Sequence, residues 1–208
     1  MNNRLSVLTL LALLSACTAV KVVTHRTDAD PAAAPAGRYH LDEHHWAIAF
    51  DVDHLSFSRY LMRFDRAAGE LDFNPQDPER SHVAIAVDAN SFDSNSEELD
   101  GLVKGSAMLD VEHFPEIKFQ SRVLRRIDKS SGEMTGDLTI HGQTRPVTLQ
   151  VAFNGGARNP LTGEDTLGFS ATGSISRGAY GLSQWFPAVG DSIEIRIEAE
   201  FAKSSSPK

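Results

Sequence analysis

The chain has 208 residues, 20 basic and 28 acidic side chains, a formal net charge of −8 at pH 7 and one cysteine. Without clustered Lys and Arg to meet phosphates, nucleic acid is excluded as a partner, and charge would not draw the chain to anionic lipid. A single cysteine excludes a disulfide within the chain.

Residues 1–16, MNNRLSVLTLLALLSA, carry Arg4 and then an apolar run from Leu5 to Leu14 that closes on small residues. The run is shorter than the roughly 20 apolar residues a membrane-crossing helix needs and has the shape of a secretory signal, removed from the mature protein. Its end, Leu14-Ser15-Ala16-Cys17, resembles a bacterial lipobox, which implies acylation of Cys17 as a new first residue. Several acyl chains, at about 0.8 kcal/mol per buried methylene, make a lasting membrane anchor. Thr18 stands where retention at the inner membrane usually calls for Asp, so the resemblance implies a periplasmic protein anchored to the outer membrane. Residues 17–37, rich in Ala, Pro and small polar side chains, read as a flexible tether. One domain follows over residues 38–202, long enough for a single well-built core, and 203–208 read as a disordered tail.

From Trp46 onward apolar residues recur with a period of two. Near 45–53, Trp46, Ile48, Phe50 and Val52 point one way and His54 continues the row, while His45, Ala47, Ala49 and Asp51 point the other. Strands near 68–73 and 82–88 follow. In SNSEELDGLVKGSAMLD a cap at Ser94 or Ser96 predicts a short helix carrying Leu99, Leu102 and Val103, broken at Gly105 and suited to covering one mouth of a barrel. Alternation returns in EIKFQSRV (Ile117, Phe119, Val123), GDLTIHG (Leu138, Ile140), PVTLQVAF (Val147, Leu149, Val151, Phe153) and LGFSATGSI (Leu167, Phe169, Ala171, Ile175). It is cleanest in DSIEIRIEAEFA, with Ile193, Ile195, Ile197, Ala199 and Phe201 on one face. Turns are expected at Ser130-Ser131-Gly132, Gly142-Gln143, from Asn154-Gly155-Gly156 to Gly163, and at Gly190-Asp191. About eight mostly antiparallel strands with one dry face must pack on a second sheet or close into a barrel, whose interior is either plugged or open to one small ligand.

The stretch HLDEHHWAIAFDVDH, residues 40–54, holds four of the eight histidines. Along one extended strand His45 and His54 lie on opposite faces and about 30 Å apart, at roughly 3.3 Å per residue. A zinc site needs three or four ligands converging at about 2 Å, so the spacing argues against a metal. His54, ending an inward row, is a candidate to hydrogen-bond a ligand head group, with a partner such as Asp53 as the alternative. Arg177 reads either as a loop clamp, through Asp42 or Asp110, or as a fork for an anionic head group.

Specific residues also match a known pattern in order along the chain: Tyr39-His40-Leu41-Asp42 with His45, Ile48, Phe50 and His54-Leu55; Leu109-Asp110-Val111 with Phe114-Pro115 and Phe119-Gln120-Ser121; Gly136 to Gly142 with Thr144-Arg145-Pro146-Val147; Ser176-Arg177 with Tyr180-Gly181; and Gly190-Asp191. This resembles the YceI family from Tyr39 to Phe201. The resemblance implies an all-β fold, an extended eight-stranded antiparallel lipocalin-like barrel with a short helical insertion. It also implies a binding protein, not an enzyme, that takes a polyisoprenoid, an isoprenoid quinone or a fatty-acid-like chain for transport, storage or scavenging. The inward rows then supply the candidate ligand contacts Trp46, Ile48, Phe50, His54, Phe119, Leu138, Leu149, Phe169 and Ile195, each with packed core as its alternative. No catalytic residue, metal or cofactor is expected beyond the bound lipid. The sequence departs from the family at Trp46, where a small residue is usual and an indole would narrow the lumen, and in 57–66, which lacks a glycine. Two rivals stand beside this reading: a metal-dependent hydrolase using residues 40–54, and an envelope interaction module with a filled barrel. A homodimer is left open.

Overall fold

The computed structural model describes residues 22–204. The signal (1–16) and Cys17 lie outside the described residues. Ten strands form: β1 (Gly37–His54), β2 (Ser58–Phe64), β3 (Ala67–Phe73), β4 (His82–Asp88), β5 (Phe92–Asp93), β6 (Glu116–Arg126), β7 (Ser131–Ile140), β8 (Gln143–Arg158), β9 (Asp165–Ser176) and β10 (Val189–Lys203). One helix, α1 (Glu97–Lys104), interrupts them. Every pairing is antiparallel, and the order β10-β9-β8-β7-β6-β4-β3-β1 closes on itself because β1 also pairs β10. The result is a closed eight-stranded barrel, as expected.

Its second hairpin arm is split in two. The first half of β1 pairs β3 and its last half pairs β2, so β2 and β3 are halves of one arm bent at Asp65-Arg66. The buried Ser91 hydroxyl accepts the amides of both bend residues, at 3.2 and 3.0 Å, and donates to the Asp88 carbonyl at 2.7 Å. Beyond the bend, β2 leaves the β4 edge and pairs outward only with the two-residue β5. The insertion 89–115 fills the opening. Its helix starts at Ser96, whose side chain accepts from the Leu99 amide, and its first turn carries Glu97, Glu98 and Asp100, which complement the helix dipole. Ser94, fully buried, donates to Asp100 at 2.6 Å, and the Tyr60 hydroxyl donates to the Ser94 carbonyl at 3.0 Å, tying the insertion to β2.

Three bulges reset the inward row, since an odd number of extra residues, three in β1 and one each in β6 and β8, exchanges the two faces of a strand. In β1 the register with β10 shifts between Leu41 and Trp46, so Tyr39 and Leu41 face in below the bulge and Trp46 to Val52 face in above it. In β6 the shift falls between Ser121 and Val123. Val123, expected inside with Ile117 and Phe119, is therefore 60% exposed. In β8 it falls between Phe153 and Gly155. Asn154-Gly155-Gly156, expected to turn, instead stay in the strand. Gly155 holds φ +141°, and a Cβ there would stand 2.7 Å from Thr27.

That close approach seats the N-terminal segment. Asp28 and Gly156 exchange backbone hydrogen bonds at 3.0 and 2.9 Å, Asp30 pairs with Lys129 at 2.8 Å, and Pro31 and Ala34 are buried. The stretch expected as a tether through residue 37 is thus docked on the barrel from Asp28 onward. At the other end Lys203 belongs to β10 and the Ser204 amide donates to the Arg38 carbonyl, so the expected tail of 203–208 is ordered at its start.

The docked end of the barrel is solid. Tyr39, Phe73, Phe153, Phe169 and Phe201 interlock with ring centroids 5.3 to 6.5 Å apart, mostly edge to face, a geometry worth roughly 0.5–1.5 kcal/mol per pair beyond burial. Tyr39 is fully buried and donates to the Pro35 carbonyl at 2.6 Å. Burial, with Asp165 adding to it, pushes the Tyr39 phenol up from 10.0 to about 12. Between those pH values the unfolded chain has released this proton and the folded chain keeps it, so rising pH favours unfolding across that window. Spectrophotometric titration is expected to give a tyrosinate step near pH 12 that Tyr39→Phe removes. Urea midpoints of the parent should fall from pH 10 upward more steeply than those of the variant.

Candidate functional site

Above the aromatic floor the inward side chains do not meet. They surround a cavity of about 600 Å³, walled by β1, β2, β4, β6 to β10, the helix and the loop before β10. Native interiors are packed to crystal density with few voids larger than a water, and ligand pockets occupy roughly 300–1,000 Å³. A space of this size is no packing fault and falls within the range of ligand pockets. The filled barrel required by the interaction-module rival is therefore absent.

Eight of the nine candidate contacts border the cavity: Trp46, Ile48, Phe50, His54, Phe119, Leu138, Leu149 and Ile195. Phe169 does not. It sits in the floor, 5.3 Å from Phe153 and 5.9 Å from Phe201 between ring centroids. Trp46 lies where floor and chamber meet and packs against the floor cluster, so its indole sets the chamber's depth. Wall shape also depends on an absent side chain. Gly136 faces Phe119, and a Cβ there would stand 2.5 Å from the Phe119 ring and from the Gln120 carbonyl.

The walls are nearly all carbon. The ionisable residues among them are His54, Tyr60, Arg177 and Glu198, and three of these spend their polar atoms elsewhere. Tyr60 donates to Ser94, Glu198 accepts from the Ser170 hydroxyl at 2.6 Å, and Arg177 is fully engaged in a loop. His54 is the exception. Its ring lies 6.2 Å from the Tyr60 ring and makes no hydrogen bond among the described residues. Asp53, the alternative partner, accepts the Ser56 amide instead.

Arg177 is 4% exposed. Its Nε donates to the Gly190 carbonyl at 2.7 Å, Nη1 to Leu182 and to Gln184 at 2.9 Å, and Nη2 to Val189 at 2.8 Å. It is a loop clamp, but one built on carbonyls. Asp42 and Asp110, the expected partners, bind His44 and His45, and His113, respectively. Burial pushes the guanidinium's pKa down and Asp191 pushes it back up.

The remaining histidines of the 40–54 stretch stay outside. Asp42 accepts the amides of His44 and His45 at 2.8 and 3.0 Å and pairs with the His45 ring at 2.9 Å, which makes the stretch the β1 bulge. Among the described residues no group of three or more His, Cys, Asp or Glu is placed to hold a metal ion.

The mouth lies opposite the floor, where His54 ends β1. Among the described residues six other than glycine have positive φ, and all lie at this end: Leu55, Ser56, Asn95, Asp110, His141 and Trp185. Asn, Asp and His tolerate this region; leucine and tryptophan do not, and the left-handed conformation costs such residues about 1–2 kcal/mol. The Leu55 amide donates to the Ala188 carbonyl at 2.9 Å, which joins the β1–β2 turn to the loop that carries Trp185. The periodicity missed this loop and the wall residues Met108, Leu109, Leu182 and Ala188, because none lies on a strand. The sequence signal available was the unpartnered run Trp185-Phe186-Pro187.

Replacing Arg177 with Ala leaves several carbonyls without donors, at about 1–3 kcal/mol for each one that stays buried and unsatisfied. Urea unfolding of Arg177→Ala is expected to show a loss of about 3 kcal/mol or more. Arg177→Lys should recover little, since one ammonium does not span the positions a guanidinium fork reaches.

Residues 39–201 match the YceI-like domain. A UPF0312 protein of Vibrio cholerae is 31% identical over 172 residues, covering 81% of this chain and 89% of its own length, and one of Pseudomonas putida is 30% identical over 172 residues, covering 82% and 88%. Among solved structures the fold is shared with Burkholderia cenocepacia BcnA (TM-score 0.70, 20% identity, 77% of this chain and 98% of that one) and with the Campylobacter jejuni YceI protein (0.67, 24%, 74% and 90%). A polyisoprenoid binding domain from Saccharophagus degradans, implicated in plant cell wall breakdown, also aligns (0.59, 11%, 82% and 100%). With its closed barrel, its hollow upper half and a match that spans nearly the whole described domain, the chain belongs to the YceI-like family.

Proposed function

We propose that the protein binds one long-chain amphiphile in the barrel, a polyisoprenoid, an isoprenoid quinone or a fatty-acid-like lipid, and carries, stores or scavenges it without chemical change. The observation that carries this reading is the 600 Å³ chamber with carbon walls and a sealed floor. Each methylene moved from water into such walls contributes about 0.8 kcal/mol, so a chain of about a dozen carbons is held by several kcal/mol after its ordering cost. A tube of this kind measures length and girth. The polyisoprenoid binding of the Saccharophagus domain, which shares the fold, points the same way.

The tail enters first and stops at Trp46, the head group staying at the mouth beside His54. His54 is the wall's ionisable group left unengaged, and it reads the head by a hydrogen bond. The signal-like residues 1–16 and the lipobox ending at Cys17 support a periplasmic lipoprotein held at the outer membrane, a place where water-insoluble chains need a carrier.

Native mass spectrometry of protein purified from membranes, followed by solvent extraction, is expected to find one lipid per chain. A chain that emerges empty from membranes and takes up none of these lipids on incubation would sink the proposal. Ile195→Trp, which projects an indole into the chamber, should fold with the parent's circular dichroism spectrum and lose the lipid. His54→Ala should keep binding but flatten selectivity among prenyl alcohols, prenyl pyrophosphates and quinones; unchanged selectivity removes His54 from head-group reading.

A further inference from the structure

The apolar residues around the mouth extend beyond what the chamber uses: Leu55, Leu102 and Trp185 share its walls, and Phe57 and Phe186 lie outside it. Phe57 is 88% exposed, Phe186 62%, Leu102 53%, Leu55 51% and Trp185 38%. They come from three separate elements: the β1–β2 turn, the helix, and the loop before β10. Two of these are held in place by construction. The turn closes with Leu55 and Ser56 both left-handed, at φ 55° and 57°, and the Phe57 amide on the His54 carbonyl at 3.0 Å. The loop holds Trp185 at φ 62°, between the carbonyls of Gln184 and Val189 that Arg177 grips. Glycine or asparagine suits such positions. Here large apolar side chains occupy strained backbone while facing solvent, and strained backbone clusters at functional sites.

We propose that this ring is a collar that docks the barrel mouth on the interfacial layer of a lipid bilayer, so that a chain passes between membrane and chamber without crossing water. The inference rests on the chamber holding a lipid, because the collar borders its opening and shares Leu55, Leu102 and Trp185 with its walls. Tryptophan and phenylalanine are side chains that settle at the headgroup level of a membrane. The chain's net charge of −8 gives anionic lipid no hold on it, so docking is by apolar insertion and phosphatidylcholine is the surface to test.

Trp185 reports on the collar directly once the chamber tryptophan is removed. In the full chain carrying Trp46→Phe, incubated with phosphatidylcholine vesicles brominated on the acyl chains, Trp185 emission is expected to shift to the blue and lose most of its intensity. Adding Phe57→Ser and Phe186→Ser should abolish both changes, and adding Phe57→Leu and Phe186→Leu should retain them. Both positions are exposed and outside the chamber, so the variants fold. Equal quenching with and without the serine pair overturns docking, since it marks brominated lipid reaching Trp185 from inside the chamber. Emission indifferent to vesicles also overturns it. So does a blue shift that follows protein concentration without lipid and vanishes in the serine pair, which assigns the collar to a second copy of the chain. Lipid extracted from each protein before vesicles are added reads the chamber separately, so failure of docking and failure of binding give different results.

Discussion

Asp42 accepts the amides of His44 and His45, and the parity of β1 above that point depends on the bulge it fixes. Without the three extra residues, the row that begins with Tyr39 and Leu41 would continue through Ala47, Ala49 and Asp51, and the lumen would be lined by two small side chains and a carboxylate. With it, Trp46, Ile48, Phe50 and Val52 face inward, and Asp51 lies on the outer wall, against Arg59 of β2 and within 3.6 Å of Arg196 of β10. His44 and His45 occupy the outer side of this kink, where a carboxylate turns the backbone, while His54 lies at the far end of the strand.

The chamber exists because the barrel treats its two ends differently. At the floor, five aromatic rings fill the cross-section and the N-terminal segment covers the outside. At the mouth the wall is interrupted beyond the β4 edge, and the helix lines the cavity there with Leu99, Leu102 and Val103. Polar wall groups other than His54 at the mouth are satisfied outward: Tyr60 toward the insertion, Glu198 toward β9, Arg177 toward its own loop. Removing these groups from the lumen leaves hydrocarbon as the surface met by anything inside, the condition for holding a chain by length and girth and not by chemistry.

Much of this architecture was legible from the period-two rows, and the short helix from its serine cap. The limits follow from what alternation encodes. A bulge leaves little trace in a sequence, so alternation puts Val123 on the inner face and the Asn154-Gly155-Gly156 composition suggests a turn, where the structure has an outward Val123 and a continuing strand. Rows show which side chains point inward but not how far they reach, so Phe169 was placed on the chamber wall although neighbouring rings on β8 and β10 close over it. Arg177 is legible as a clamp or a head-group fork but not in its partners, which are not the carboxylates of Asp42 or Asp110 but carbonyls between Leu182 and Gly190. The mouth was least legible, being built from turns whose conformation alternation does not specify.

The seat of Thr27 and Asp28 against Gly155 and Gly156 gives the molecule a direction. The N-terminal arm joins the barrel at its closed base, so a pull or a leash applied through that arm acts at the pole opposite the opening. Held this way the domain hangs like a bucket from its bottom. Its open rim faces away from the point of attachment, and the height of the barrel separates the two.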